Sequence, residues 1–188
     1  VCKGTEKAGF SNVTGVTEQA IPDPNCTTVQ FPNPEESQAF EMALTYGHDV
    51  KADLLIATDP DADRMGVAVR ESDGNYVFLT GNQIGALLAN ALFEDQSNRG
   101  TLPDNGVLLK TIVTSELGKA IADKYGVKTI DVLTGFKFIS EKIEEFKATK
   151  ESTFLIGYEE SYGYLIGDFM LILQLENARG YFSAAASM

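Results

Sequence analysis

The sequence has few of the residues that mark nucleic-acid-binding or disulfide-rich proteins. It contains 15 basic residues against 27 acidic ones, for a net charge of −12 over 188 residues. No basic stripe is present, so a phosphate-backbone partner such as DNA is not expected. The two cysteines, Cys2 and Cys26, form neither a metal-ligand spacing nor a disulfide framework. We therefore predict a cytoplasmic protein that handles small metabolites.

Long apolar segments and targeting patterns are also missing from the sequence. No run is long enough to span a bilayer and no signal-peptide pattern is seen, so we expect no membrane partner. The 44% hydrophobic content is nevertheless sufficient for a sizeable core. The chain begins at Val1 rather than at a methionine, and we interpret it as a piece of a longer protein.

The first half of the chain predicts helices and strands around a proline-rich loop. The prolines and asparagines of residues 21–36 predict an extended loop. A helix is expected to follow, with Asn33 as its N-cap and Pro34 at its first position. The continuous apolar run "ADLLIAT" predicts a strand in a sheet that is covered on both faces. "MGVAVRE" and "NYVFLT" flank a Ser-Asp-Gly turn and predict a hairpin.

The second half alternates strands and helices more regularly. After the helix "GNQIGALLANALFED", strands are predicted at "GVLLKTIVT", "VKTIDVL" and "TFLIGYEES", and helices at 116–125 and 138–148. This rhythm is typical of α/β layering. We predict two consecutive α/β domains, 1–80 and 81–188, each with a mixed sheet and flanking helices.

The segment "IATDPDADR" carries the strongest chemical signal. It places Asp59, Asp61 and Asp63 at alternate positions after an apolar run and ends in Arg64. Carboxylates this close repel one another unless a cation lies among them. Hard oxygen ligands of this kind suit Mg²⁺ or Ca²⁺. The cluster is therefore a candidate metal site, and a solvated turn is the simpler alternative.

Two known types of aspartate loop fit this segment less well. An EF-hand loop requires glycine and glutamate where Arg64 and Arg70 stand, so it is excluded. A haloacid-dehalogenase-like phosphatase would use Asp59 as its nucleophile after an apolar strand. Its pattern has threonine or valine where this sequence has Asp63.

"TDPDADR" resembles the metal-binding loop of the α-D-phosphohexomutase superfamily, the phosphoglucomutases and phosphomannomutases. In that superfamily the loop commonly reads Asp-Pro-Asp-Gly-Asp-Arg, and Ala62 stands here in place of the glycine. The resemblance implies that Asp59, Asp61 and Asp63 bind Mg²⁺. It also implies that Arg64 is a catalytic residue beside the phosphoryl group being transferred.

Three further stretches resemble the same superfamily. "GYEESYGY" is similar to its sugar-recognition loop, which implies that Glu159 and Ser161 bind sugar hydroxyls. "VLTGFKFISEKI" is similar to its Thr-Gly-x-Lys loop and implies substrate contacts from Thr134 and Gly135. "LLKTIVTS" resembles a strand end with a basic active-site residue, so Lys110 is a candidate acid/base or phosphate contact. A solvated lysine at a strand end is nearly as good an interpretation of Lys110.

The resemblance implies phosphoryl transfer between a phosphoserine and a hexose phosphate, through a 1,6-bisphosphate intermediate. Members have four domains, and the Thr-Ala-Ser-His-Asn-Pro-like serine loop of the first domain has no counterpart in this sequence. We expect a central piece, made of the end of one central domain and most of the next, that is inactive without the remaining domains of its parent. The apolar tail after Phe169 departs from the family pattern. A haloacid-dehalogenase-like phosphatase and a non-catalytic sugar-phosphate-binding module remain alternatives.

Overall fold

The computed structural model of the chain describes residues 2–21 and 23–167. The described residues form two units, one made of residues up to Thr80 and the other beginning at Gly81. The unusual tail lies outside the described residues. Within the described residues, no helix combines the length and apolarity that a membrane crossing requires.

The first unit is built around a three-stranded antiparallel meander. Strand β2 lies between β1 and β3. The turn between β2 and β3 contains Gly74, whose φ of +91° suits glycine. The elements of this unit are α1 (Cys2–Lys7), two 3₁₀ turns (Thr17–Gln19 and Ser37–Phe40), α2 (Glu41–Val50), β1 (Leu54–Thr58), β2 (Met65–Arg70) and β3 (Tyr76–Leu79).

The predicted start of helix α2 is wrong. A 3₁₀ turn covers Ser37–Phe40, and the α-helix begins only at Glu41. Asn33 does not cap this helix, because its Oδ1 instead accepts hydrogen bonds from the Glu35 N–H at 3.1 Å and from Arg64 Nη1 at 3.2 Å. Asn33 therefore closes a short local turn ahead of the helix rather than capping it.

The predicted burial of strand β1 on both faces is also wrong for the described residues. Only Leu55 of its five residues is buried. The strand pairs with β2 alone and forms one edge of the antiparallel sheet. Its core side chains contact Phe40 and Ala68, which form a small cluster with Leu55. One-sided burial is what antiparallel sheets allow.

The second unit is a mixed four-stranded sheet in the order β5-β4-β6-β7. Strands β5, β4 and β6 are parallel, and β7 returns antiparallel to β6. The central strand β4 is buried along its whole length. The elements of this unit are α3 (Gly81–Asn98), β4 (Gly106–Thr111), α4 (Leu117–Lys124), β5 (Lys128–Val132), α5 (Phe136–Thr149), β6 (Thr153–Tyr158) and β7 (Tyr164–Ile166).

Helices cover the sheet of the second unit on both faces. Helix α5 contributes Ile139, Ile143 and Phe146 to a core cluster that also contains Val107 and Leu109 of β4. Helices α3 and α4 pack against each other and meet the sheet at Tyr158. The prediction of a mixed sheet with flanking helices is thus confirmed for this unit.

Two helical glycines make room for the Tyr158 ring, which is fully buried. A Cβ added at Gly85 of α3 would lie 2.1 Å from a ring carbon of Tyr158, and one at Gly118 of α4 would lie 2.1 Å from its hydroxyl oxygen. Burial raises the pKa of Tyr158 to about 12, so the phenol stays neutral. The glycines therefore serve close packing at the cost of helix propensity.

Replacing Gly85 with alanine should destabilise the chain. Alanine in a helix interior is normally more favourable than glycine by about 1 kcal/mol, but here its methyl group would meet the Tyr158 ring. Overpacking of this kind costs about 1–3 kcal/mol. Urea unfolding followed by circular dichroism should show a lower midpoint for Gly85→Ala at an unchanged m-value.

The exposed Ser97 on the same helix offers a matched control. Ser97→Ala should leave the midpoint unchanged or raise it slightly. A midpoint for Gly85→Ala at or above that of the unmodified chain would contradict the packing described for Tyr158.

Candidate functional site

The aspartate cluster lies in the hairpin loop that joins β1 to β2. Thr58 pairs with Met65, so the six residues between them form the loop. The Ala62 N–H donates to the Asp59 carbonyl oxygen at 3.1 Å and closes a turn. Ala62 has a φ of +58°, a left-handed conformation that glycine adopts more easily than alanine. The strand register therefore forces the chain to turn back within the acidic segment.

Asp59 and Arg64 form a two-point pair across this loop. Asp59 is buried, with 4% of its surface exposed. Its Oδ1 accepts the Arg64 backbone N–H at 3.0 Å and its Oδ2 accepts Arg64 Nε at 2.9 Å. Arg64 Nη1 donates further to Asn33 Oδ1 at 3.2 Å and to Glu35 Oε1 at 3.3 Å. The guanidinium is therefore fixed in place, and its hydrogen bond to Asp59 raises its pKa.

The three carboxylates lie close enough to share one cation. One oxygen from each of Asp59, Asp61 and Asp63 lies within 4.8 Å of the others. Burial raises the pKa of Asp59, but hydrogen bonds from Asp63 and Arg64 outweigh it, so the net pKa is lowered. The hydrogen bond to Asp59 raises the pKa of Asp63. Without a cation, the cluster therefore retains a proton more readily than separate aspartates would.

This donor set fits a hard divalent cation. All three ligand groups are carboxylates, and Asp61 and Asp63 are exposed to solvent while Asp59 is anchored. Oxygen-only ligands with room for water are typical of Mg²⁺ and Ca²⁺ sites in proteins. The cluster could therefore hold a metal ion.

The other predicted site residues lie at one edge of the second unit's sheet. Lys110 is the second-to-last residue of the parallel strand β4, Thr134 and Gly135 follow β5, and Glu159 and Ser161 follow β6. These three strands are neighbours and run in the same direction. The carboxyl ends of parallel strands are where α/β sheets bind ligands.

Two of these loops are joined by a direct hydrogen bond. The Gly135 N–H, at the start of helix α5, donates to Glu159 Oε1 at 2.8 Å. The partial positive charge of a helix N-terminus favours a carboxylate there. Glu159 is buried, Ser161 is half-buried and Thr134 is exposed. Glu159 Oε2 accepts no hydrogen bond from residues 2–21 or 23–167, so this oxygen remains available to a ligand.

Lys110 is not the solvated lysine that its position at a strand end would suggest. The residue is fully buried. Its Nζ donates to the Thr114 carbonyl oxygen at 3.1 Å and lies 2.8 Å from Glu116 Oε1 and 2.9 Å from Asp131 Oδ1. Burial lowers the pKa of Lys110, but hydrogen bonds to the two carboxylates raise it by more. The ammonium is therefore charged, with an acceptor for each of its three hydrogens.

Several site contacts were not anticipated from the sequence. Asn33 and Glu35 hold Arg64 in the first unit. In the second unit, Glu160 accepts hydrogen bonds from Thr111 and Thr114. The adjacent glutamates of the "YEES" stretch are the sequence signal that could have indicated Glu160. No local pattern indicates that Asn33 meets Arg64.

Two family profiles match most of the length of the chain. Residues 2–74 match the family profile "phosphoglucomutase/phosphomannomutase, alpha/beta/alpha domain II", and residues 80–177 match the corresponding domain III. A phosphoglucomutase from Staphylococcus haemolyticus is 44% identical over 161 residues, 86% of this chain and 28% of that protein. A phosphoglucomutase from Staphylococcus aureus strain USA300 is 40% identical over 165 residues, 88% of this chain and 29% of that protein.

Solved structures show the same fold. A phosphoglucomutase/phosphomannomutase family protein from Burkholderia thailandensis gives a TM-score of 0.60 at 17% identity, covering 84% of this chain and 31% of that one. Parafusin, a phosphoglucomutase from Paramecium, gives a TM-score of 0.54 at 20% identity over 83% of this chain and 26% of that one. The chain thus spans a little over a quarter of the length of its curated relatives, and it belongs to the phosphoglucomutase/phosphomannomutase family, of which it carries domain II and domain III sequence.

Proposed function

We propose that this chain carries the metal-binding loop, in its first unit, and the sugar-binding loops, in its second unit, of a phosphohexomutase that interconverts hexose 1-phosphate and hexose 6-phosphate. The observation that carries the proposal is the cluster of Asp59, Asp61 and Asp63 beside a fixed Arg64. The relatives that share this region are named phosphoglucomutases. Because the chain spans 28% of the first of them, the complete reaction is proposed for a longer protein that contains it.

Asp59, Asp61 and Asp63 are proposed to hold Mg²⁺. Their oxygens already converge within 4.8 Å, so little rearrangement is needed to bind a cation. When bound, the metal would neutralise charge on a phosphoryl group during its transfer. Asp59 also fixes the guanidinium of Arg64, which couples the metal ligands to the arginine.

Arg64 is proposed to contact the phosphoryl oxygens. Its Nε and Nη1 are used by Asp59, Asn33 and Glu35. Within the described part of the chain, Nη2 has no acceptor, and 34% of the side chain is exposed. An arginine held by two of its nitrogens and open at the third can donate to a phosphate without losing further side-chain entropy.

Glu159, Ser161, Thr134 and Gly135 are proposed to bind the sugar. The Gly135 N–H occupies one lone pair of Glu159 Oε1, so a hydroxyl group would bind Glu159 first at the open Oε2. The hydroxyls of Ser161 and Thr134 lie on loops that end at the same sheet edge. A carboxylate accepts from several hydroxyl donors at once, which suits a vicinal diol.

Lys110 is proposed as a phosphate contact or proton donor rather than a general base. The carboxylates of Glu116 and Asp131 hold its ammonium in the charged form. A general base would have to lose that proton first. Both carboxylates are partly exposed, at 69% and 49% of their side chains, so either can move away and release one Nζ hydrogen to a ligand.

The geometry does not favour a phosphatase that uses Asp59 as its nucleophile. Only 2% of the Asp59 side chain is exposed, and both of its oxygens accept hydrogen bonds from Arg64. A nucleophilic carboxylate needs an open oxygen that faces the phosphorus atom. A non-catalytic sugar-phosphate-binding module is the second candidate, because every proposed binding residue is present while the serine loop is missing from the sequence.

The purified chain should bind ligands without turning them over. Because its sequence contains no counterpart of the phosphoserine loop, a coupled assay with glucose 1-phosphate and Mg²⁺ should yield no glucose 6-phosphate above a blank. If the chain instead releases inorganic phosphate and Asp59→Asn abolishes that release, the phosphatase is supported.

The aspartate cluster should bind Mn²⁺ or Mg²⁺ weakly, and Asp61→Asn should reduce that affinity about tenfold or more. Asp61 is the variant of choice because it is exposed and does not hold Arg64, and because affinity at such sites follows the number of charged ligands. Isothermal titration calorimetry measures the change. Asp49→Asn, at an exposed position of the same unit, is the control and should bind normally.

Metal affinity should also decrease as the pH falls, over a range above that of an ordinary aspartate. The pKa of Asp63 is raised by its hydrogen bond to Asp59, and a cation must displace that proton. Binding should therefore release protons, detectable as a buffer-dependent enthalpy.

Equal affinities for Asp61→Asn and the unmodified chain would remove the metal assignment.

Glu159→Gln should weaken glucose 1-phosphate binding about tenfold or more without changing metal binding. The amide replaces one charged acceptor oxygen with a donor, which leaves a mismatched contact to a hydroxyl group. Chemical-shift titration of the ¹⁵N-labelled chain measures both affinities. The exposed Glu141→Gln on α5 serves as the control, and unchanged sugar affinity in Glu159→Gln would refute the sugar assignment.

A further inference from the structure

Glu160 points away from its neighbour Glu159 and toward the end of strand β4. Its Oε2 accepts hydrogen bonds from the Thr111 hydroxyl at 3.1 Å and from the Thr114 hydroxyl at 3.0 Å. The two hydroxyl oxygens are themselves 2.7 Å apart. Both threonines are buried, at 0% and 3% exposure. A carboxylate that replaces water for two buried hydroxyls is a strong local constraint.

The two threonines define the turn that holds Lys110. The Thr114 N–H donates to the Thr111 carbonyl oxygen at 3.0 Å, and the Thr114 carbonyl oxygen accepts from Lys110 Nζ at 3.1 Å. Glu160 is therefore separated from the lysine ammonium by one residue, Thr114, which is bonded to both. If Thr114 moves, Lys110 loses the one uncharged acceptor of its Nζ.

The backbone of Glu160 lies against the start of helix α3. A Cβ added at Gly81, the first residue of helix α3, would lie 2.0 Å from the Glu160 carbonyl oxygen. The Glu159 N–H also donates to the Gly163 carbonyl oxygen at 3.0 Å and closes the loop. These contacts restrict the backbone of Glu160 on the side of helix α3, independently of the Thr111–Thr114 turn.

We propose that Glu160 is a positioning residue that fixes the Thr111–Thr114 turn and, through it, the ammonium of Lys110. The two adjacent glutamates then have separate roles, because Glu159 accepts a hydrogen bond from the loop after β5 and Glu160 accepts hydrogen bonds from the turn after β4. The importance of this link for catalysis rests on the proposed function. The link itself is a property of the second unit and can be tested without any ligand.

The accessibility of Lys110 Nζ measures the link directly. Pulse acetylation of the folded chain with acetic anhydride, read by peptide mass spectrometry, gives a rate for each lysine. The exposed Lys128 on the neighbouring strand provides the internal reference. Glu160→Ala should raise the acetylation rate of Lys110, relative to Lys128, roughly tenfold or more, because the turn opens more often once two hydrogen bonds are lost.

Two further variants separate positioning from a loss of stability. Glu160→Gln keeps an acceptor oxygen for the threonine hydroxyls and should stay within about threefold of the unmodified rate. Thr114→Val removes the hydroxyl that donates to Glu160. In the double variant with Glu160→Ala, Lys110 should therefore be acetylated no faster than in the faster of the two single variants. Glu141→Ala, an exposed glutamate of the same unit, should have no effect.

An unchanged Lys110 rate in Glu160→Ala would overturn the proposal. Urea unfolding of Glu160→Ala gives the increase in its globally unfolded fraction, and a rise in the Lys110 acetylation rate no larger than that increase would also overturn the proposal. Additive effects of the two substitutions in the double variant would overturn it too. If Thr114→Val does not fold, the contrast between Glu160→Ala and Glu160→Gln decides alone. No metal or sugar phosphate enters this experiment, so its outcome is independent of the ligand-binding tests above.

Discussion

Electrostatic repulsion among three aspartates in one short hairpin loop is the constraint on which the first unit's chemistry depends. The pairing of Thr58 with Met65 leaves six residues to reverse the chain, and three of these are carboxylates. Arg64 pairs with Asp59 at 2.9 Å and lies 3.8 Å from Asp63, so its single positive charge offsets only part of the negative charge of the loop. A divalent cation would supply the charge that the loop still needs.

In the second unit, three loops lie at the carboxyl ends of the parallel strands. Apolar packing ends with the strands, so the loops are held by hydrogen bonds to carboxylates. Glu159 joins its loop to Gly135, and Glu160 joins the same loop to Thr111 and Thr114. Charged acceptors are well suited to this because each forms stronger hydrogen bonds than a neutral oxygen does.

The features that could be predicted from the sequence are those encoded by neighbouring residues. The helices predicted at 116–125 and 138–148 are observed as α4 (Leu117–Lys124) and α5 (Phe136–Thr149), because apolar periodicity is local. The aspartate cluster could also be predicted, because its three residues lie within one short segment of the sequence. The contact between Asn33 and Arg64 and the burial of Lys110 could not be predicted, since each partner comes from a distant segment: Arg64 in the first case, Asp131 of the adjacent strand in the second.

The central claim, that the aspartate loop is a metal site, is tested most directly by paramagnetic broadening. Substoichiometric Mn²⁺ added to the ¹⁵N-labelled chain should broaden the amide resonances of residues 59–64 before any others, since the ion would lie among those carboxylates. The chain offers a built-in comparison, because Glu116 and Asp131 form a second acidic pair whose negative charge Lys110 partly offsets. Broadening that begins at this second pair, or that spreads evenly over the acidic surface, would contradict the account.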